Sequence, residues 1–207
     1  MVPLAHPRPI RKAPVMEALL ISTAVVALGE IGDKTQLLAL VLAARFQKPW
    51  PIIWGILVAT LANHALAGFT GNLVRAWLPP DVLRWLVALS FFAVAAWALK
   101  PDKLDADDAP PETSRWGVFG VTVVAFFLAE MGDKTQVATI VLAAKFPSLL
   151  QVVIGTTLGM LAANVPVVIV GKAASERIPF KAVRLVAAAL FAGLGAYALL
   201  AAELPGA

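Results

Sequence analysis

The sequence predicts an all-α polytopic membrane protein with six transmembrane helices arranged as two inverted three-helix repeats. Three observations lead there. Of its 207 residues 60% are hydrophobic and only 14% charged, with a mean hydropathy of +0.83, an imbalance that soluble domains of this length do not show. Apolar stretches near residues 15–44, 52–77, 82–99, 116–144, 149–170 and 183–202 are each about long enough to cross a hydrocarbon core of roughly 30 Å. The run Glu30-Ile31-Gly32-Asp33-Lys34-Thr35-Gln36 returns one hundred residues later as Glu130-Met131-Gly132-Asp133-Lys134-Thr135-Gln136.

In chain order, residues 1–14 form a proline-rich basic tail with Arg8, Arg11 and Lys12, expected to be disordered. The apolar run after it is too long for a signal-peptide core and has no small-residue cleavage pattern, so it is expected to stay in the membrane. The first repeat occupies 15–99. Its first stretch would be about 45 Å long as one helix, which demands tilt or a break. Gly29 and Gly32 weaken the helix beside Glu30, and an unwound turn is allowed at membrane depth where it lines a polar cavity. An intact helix would also serve, since Glu30 and Asp33 would share a face with Lys34 four residues from Glu30. In the second stretch Gly55, Ala59, Ala62, Gly68 and Gly71 suggest a close-packing face, and Asn63 and His64 are polar residues that either line a site or bond across helices. Trp77, Trp85 and Trp97 lie near the ends of the third stretch, as interfacial anchors do.

Residues 100–115 are an acidic linker containing Asp102, Asp105, Asp107, Asp108 and Glu112, whose spacing matches no calcium loop. The second repeat spans 116–202, followed by a short tail at 203–207. Between residues 30–46 and 130–146, eleven of seventeen positions are identical, and Gly55/Gly155, Gly71/Gly171 and Arg84/Arg184 keep the register, which aligns His64 with Asn164. Three helices per repeat is an odd number, so the second repeat enters the membrane from the opposite side. In transporters built this way the site lies at the repeat interface near the midplane, and both motifs fall at the midpoints of their stretches. Nine Lys and Arg lie on the linker's side and six on the other, favouring a cytoplasmic linker with both termini outside, against the pull of the basic tail.

Composition also excludes. The formal charge of +4 is spread singly over the loops and the tail, without the dense basic cluster a nucleic-acid surface needs. The absence of cysteine removes disulfides and thiolate metal sites. What remains is oxygen chemistry. If the motifs meet, Glu30, Asp33, Glu130 and Asp133 offer four carboxylates, with Thr35, Thr135, Gln36 and Gln136 as further oxygen donors and Asn63, His64 and Asn164 as secondary candidates. Hard cations such as Ca²⁺, Mg²⁺ and Mn²⁺ suit that set better than zinc or copper. With Lys34 and Lys134 as fixed counter-charges the site carries a net charge of minus two if all six groups are ionised. One divalent ion neutralises it, and so do two protons, which predicts exchange of one for the other.

The tandem Glu-x-Gly-Asp-(Lys/Arg)-(Ser/Thr) signature in a six-helix chain resembles the Gdt-type family of calcium and manganese/proton exchangers, which includes bacterial manganese exporters and Golgi and chloroplast relatives. Both copies match without departure, and the resemblance covers the chain after its tail. It implies a secondary transporter, not an enzyme, that exchanges Mn²⁺ or Ca²⁺ for protons by alternating access through the motif acids and exports the cation from the cytosol. It further implies a cytosolic acidic linker; the expected partners are the transported cation and protons, the bilayer and, as an allowed state, a homo-oligomer, with no nucleic acid and no cofactor beyond the transported ions. The compact size points to a prokaryotic plasma (inner) membrane. An intramembrane aspartyl protease also needs paired aspartates, but the string here is Gly-Glu-Ile-Gly-Asp and the adjacent lysine opposes a shared-proton dyad. A cation channel or a small-solute exporter without proton exchange is the remaining alternative.

Overall fold

The structure is a computed structural model that describes residues 13–100, 117–171 and 179–200. Most of the basic tail, the acidic linker after Lys100 and the C-terminal tail lie outside the described residues, as do Lys172 and Arg177. Among the described residues there are eight α-helices and no strand: α1 (Ala13–Glu30), α2 (Lys34–Phe46), α3 (Pro49–Trp77), α4 (Pro80–Ala98), α5 (Gly117–Glu130), α6 (Lys134–Lys145), α7 (Leu149–Val170) and α8 (Phe180–Leu200). Four of them, α3, α4, α7 and α8, are long and apolar enough to cross a membrane.

The first and fourth apolar stretches are each split, α1 from α2 and α5 from α6. The motifs therefore sit between half-helices and not at the midpoints of continuous ones. Gly32 and Gly132 adopt φ of 82° and 76°, a left-handed conformation that costs any residue with a Cβ, and this turns the chain out of the helix. Asp33 and Asp133 follow in extended conformation as the N-caps of α2 and α6. Of the two alternatives left open by the sequence, the broken helix is the one adopted.

The halves are interleaved. α1 packs along α7, and α5 packs along α3; likewise α2 lies on α7 and α6 on α3, so each broken helix rests on the other half. Glycines permit the approach: a Cβ at Gly155 would lie 2.6 Å from the Leu19 carbonyl oxygen, and one at Gly159 2.6 Å from that of Thr23. On α3, Gly55, Ala59, Gly68 and Gly71 are buried, whereas Ala62 is exposed and lies off that face. α4 packs on α8, where Phe91 and Phe191, one hundred residues apart, place their rings 6.3 Å apart.

Large apolar side chains lie on the outside as well as in the core, and a set of polar and charged ones is buried. Leu20, Leu66, Phe69, Leu128, Ile169 and Leu185 are exposed, while Glu30, Asp33, Gln36, Asn63, His64, Glu130, Asp133 and Asn164 are buried. An apolar exterior of this extent needs a lipid solvent. Trp77, Trp85 and Trp97 are exposed near helix ends, as membrane-interface tryptophans are.

Candidate cation site

Each half-helix break brings a glutamate from the end of one helix beside an aspartate at the start of the next. The peptide N–H of Asp33 donates to the Glu30 carbonyl at 3.0 Å, and that of Asp133 to the Glu130 carbonyl at 3.2 Å, closing both turns. The Gln36 side chain accepts from the Gly32 N–H at 2.9 Å, and Gln136 accepts from the Gly132 N–H at 2.7 Å, so each motif's last residue caps its own break. The amide nitrogens then reach across the molecule: Gln36 donates to the Ala163 carbonyl at 3.1 Å, and Gln136 to Asn63 Oδ1 at 2.8 Å. Both glutamine oxygens are thus engaged in holding the breaks.

The threonines arrange the acids. Thr35 Oγ1 donates to Glu30 Oε2 and stands 3.4 Å from Asp33 Oδ2. Thr135 Oγ1 stands 3.0 Å from Glu130 Oε2 and 3.2 Å from Asp133 Oδ2. A hydroxyl has a single hydrogen, so between two ionised carboxylates it satisfies one of them. The second oxygen of each glutamate, Oε1, is buried and accepts no hydrogen bond from the described residues. These are the atoms left for a cation or a proton.

Three acids converge. Glu30, Glu130 and Asp133 each offer an oxygen, all within 4.8 Å of one another, and all three residues are buried. Oxygens around one hard cation at about 2.3–2.6 Å lie up to about 5 Å apart, so this spacing fits a single shared ion. The fourth acid, Asp33, is instead ion-paired with Lys134 from the other half. The reciprocal pair is looser, with Lys34 Nζ 3.9 Å from Asp133 and its side chain 23% exposed against 5% for Lys134. Each lysine thus answers an aspartate of the opposite repeat, a pairing that no local spacing in the sequence announces.

Of the secondary candidates, Asn63 bridges Gln136 and the Phe127 carbonyl at 3.3 Å. Asn164 donates to the Met160 carbonyl at 3.1 Å and leaves its Oδ1 buried and unpaired. His64 is buried with neither ring nitrogen hydrogen-bonded among the described residues, and it does not belong to the three-acid cluster. The residues that sequence reasoning missed are backbone acceptors, Ala163 and Phe127. A carbonyl acceptor carries no side-chain signal.

A helical bundle with an apolar exterior, a buried polar cluster inside its apolar core and two interleaved acidic breaks defines a polytopic membrane protein of the transporter class. Comparison with known proteins supplies the family. The sequence model described as "Divalent cation/proton antiporter GDT1" matches residues 18–106 and again 118–205. A Vibrio cholerae protein named "Putative manganese exporter" is 52% identical over 178 residues, 86% of this chain and 88% of that protein. A GDT1-like protein of Synechocystis is 28% identical over 185 residues, 80% of this chain and 88% of the relative. No solved structure matches. The chain belongs to the GDT1 family of divalent cation/proton antiporters and is an integral membrane protein.

Proposed function

We propose that the protein exports Mn²⁺ from the cytosol across a bacterial plasma membrane in exchange for protons, by alternating access, with Ca²⁺ as a second cation. The observation that carries this is the convergence of Glu30, Glu130 and Asp133 oxygens within 4.8 Å at a fully buried point built by both halves. An all-oxygen set accepts Mn²⁺ and Ca²⁺ alike, and the name of the Vibrio cholerae relative favours manganese as the first substrate.

The chemistry follows from charge. Four carboxylates and two lysines sum to minus two when all are ionised, which one divalent ion balances. When the ion leaves, two protons restore the balance. Thr35 and Thr135, each set between two carboxylates with a single hydrogen to give, favour one proton per motif in the metal-free state. Glu30, Asp33, Glu130 and Asp133 are at most 3% exposed, so the ion reaches them only when one side of the bundle opens. That speaks for a carrier over an open channel.

The family model's two matches, the interleaved packing and the Phe91–Phe191 contact support six crossings in two inverted repeats, with α1–α2 and α5–α6 each forming one crossing. In an inverted repeat the opposite-facing state exchanges the roles of the halves. Here Lys134 holds Asp33 while Asp133 joins the glutamates; in the other state Lys34 holds Asp133 and Asp33 joins them. The ion pairs are then the switching contacts, and the lysines release each aspartate in turn.

The test uses the purified protein in sealed liposomes with an internal pH dye, adding Mn²⁺ and then Ca²⁺ outside. Metal-driven proton movement in wild type, lost in Glu30→Gln and in Asp133→Asn, is expected. A correctly inserted wild type that moves metal without protons, or no metal at all, overturns the reading.

A further inference from the structure

Away from the acidic centre, at the end of the bundle opposite the linker attachments, the end of α3, the start of α4 and the far ends of α6 and α8 line an open surface cavity of about 410 Å³. Its walls carry three cations, Arg75, Arg84 and Lys145, against one carboxylate, Asp81, with Leu83 and Val87 on its apolar side. Two of the cations have buried donors that no described residue satisfies: Lys145 Nζ and Arg84 Nε. The Lys145 ammonium stands over the rings of Tyr197 at 4.5 Å, Phe146 at 5.3 Å and Phe91 at 6.0 Å. Aromatic faces offset part of its desolvation but leave its N–H groups without strong acceptors. Glu17 acts on it electrostatically without a hydrogen bond.

A cation that only sets topology is hydrated at the membrane surface. These two are half-buried, each with a covered donor atom, and line one cavity that Arg75 also lines. Orphaned buried donors of like charge call for an anion that accepts several hydrogen bonds. We propose that this cavity binds a phosphate group, and that an anionic phospholipid headgroup supplies it. Counting Glu17, the surrounding charges sum to plus one, which one phosphodiester monoanion balances. The apolar side of the cavity and its position at helix ends suit a ligand whose phosphate sits at the interface with its chains along the bundle. Among the described residues the equivalent place in the other half is built differently. Arg45 is exposed and lies over Phe46, and Lys181 and Arg184 line a smaller cavity of about 250 Å³. Among the described residues the proposed site therefore lies at one end of the molecule.

The experiment measures thermal unfolding of the purified full chain in detergent with added phosphatidylcholine, with added phosphatidylglycerol, and with inorganic phosphate, for wild type, Lys145→Gln and Arg84→Gln. Phosphatidylglycerol near saturation is expected to raise the wild-type midpoint by about 5 °C over phosphatidylcholine. In either variant that rise is expected to vanish, while metal/proton exchange in phosphatidylcholine vesicles persists as proof of folding. The two substitutions are independent, so one that folds suffices. An equal rise with inorganic phosphate, lost in the variants, would keep the phosphate site and overturn the lipid as its source. No lipid-dependent rise, or one that both variants retain, would overturn the site.

Discussion

The two motifs share six of seven residues, yet the structure treats them differently. Asp33 caps no backbone N–H of its own helix and pairs with Lys134, whereas Asp133 keeps a cap contact with the Thr135 N–H at 3.3 Å and joins Glu30 and Glu130. Lys134 is nearly sealed and Lys34 partly open; Gln36 lands on a backbone carbonyl and Gln136 on the Asn63 side chain. The difference teaches that one sequence, used twice, holds two conformations at once. Whatever distinguishes the sites comes from the environment each half provides for the other.

The glutamates are where the halves are most alike, each with one oxygen on its threonine and one unclaimed. Glu30→Gln and Glu130→Gln are therefore expected to be equally damaging. Each should lower apparent Mn²⁺ affinity on the order of 10²-fold or more, since loss of a ligand exceeds the 10–100-fold typical of outer-shell changes. Metal-quenched fluorescence and proton flux in liposomes measure it. A variant that retains half of its exchange would break the equivalence and leave one half in charge.

The lysines should separate the halves. Lys134→Met removes the partner of a buried carboxylate and is expected to cost about 3–5 kcal/mol. Lys34→Met removes a contact at 3.9 Å from a partly exposed amine and is expected to cost about 0–1 kcal/mol. Denaturation of the two variants in the same detergent gives the comparison. If the ion pairs exchange during transport, Lys34→Met should still slow proton flux severalfold despite its small effect on stability. Unchanged flux in Lys34→Met would remove the exchange of pairs from the mechanism.

Much of the site was legible in the sequence because its signals are local. The duplicated motif, its acids and the weak helix at Gly32 are written within seven residues, and the odd number of apolar stretches per half follows from counting. The choice between a broken and an intact helix was not legible. Gly29 and Gly32 weaken either one, and the decision rests on the Gln36 and Gln136 caps and on packing across the halves. The pairing of each lysine with the distant aspartate was hidden for the same reason, since an intact helix would have offered Lys34 its own Glu30. Lys145, Arg84 and Arg75 read as flanks to the apolar stretches, because nothing in their spacing shows that they line one cavity.

Asn63 offers a sharper version of the comparison. Its counterpart one hundred residues on is Ala163, so the second motif is tied by a side chain that can be deleted and the first by a carbonyl that cannot. Asn63→Leu is expected to leave the half-buried Gln136 amide with only the weak Met131 sulfur acceptor at 3.9 Å and to remove the side-chain donor to the Phe127 carbonyl, at a cost of about 1 kcal/mol. Amide hydrogen exchange should rise around Gly132 and not around Gly32. Equal loosening at both breaks would mean that they open as one unit.

The last comparison is at the glycines, and it isolates backbone from contacts. At Gly132, φ is 76° and nothing lies within 4 Å of where a Cβ would stand, so Gly132→Ala meets no neighbour and pays only for conformation. That cost is about 1–2 kcal/mol, and asparagine, which tolerates the left-handed region better, should recover part of it. A midpoint that falls for alanine and partly returns for asparagine confirms that the break is set by φ at this one residue. If alanine and asparagine are equally harmful, the requirement is for the absence of a side chain, which means that something approaches this turn during the transport cycle, although nothing does in the conformation described.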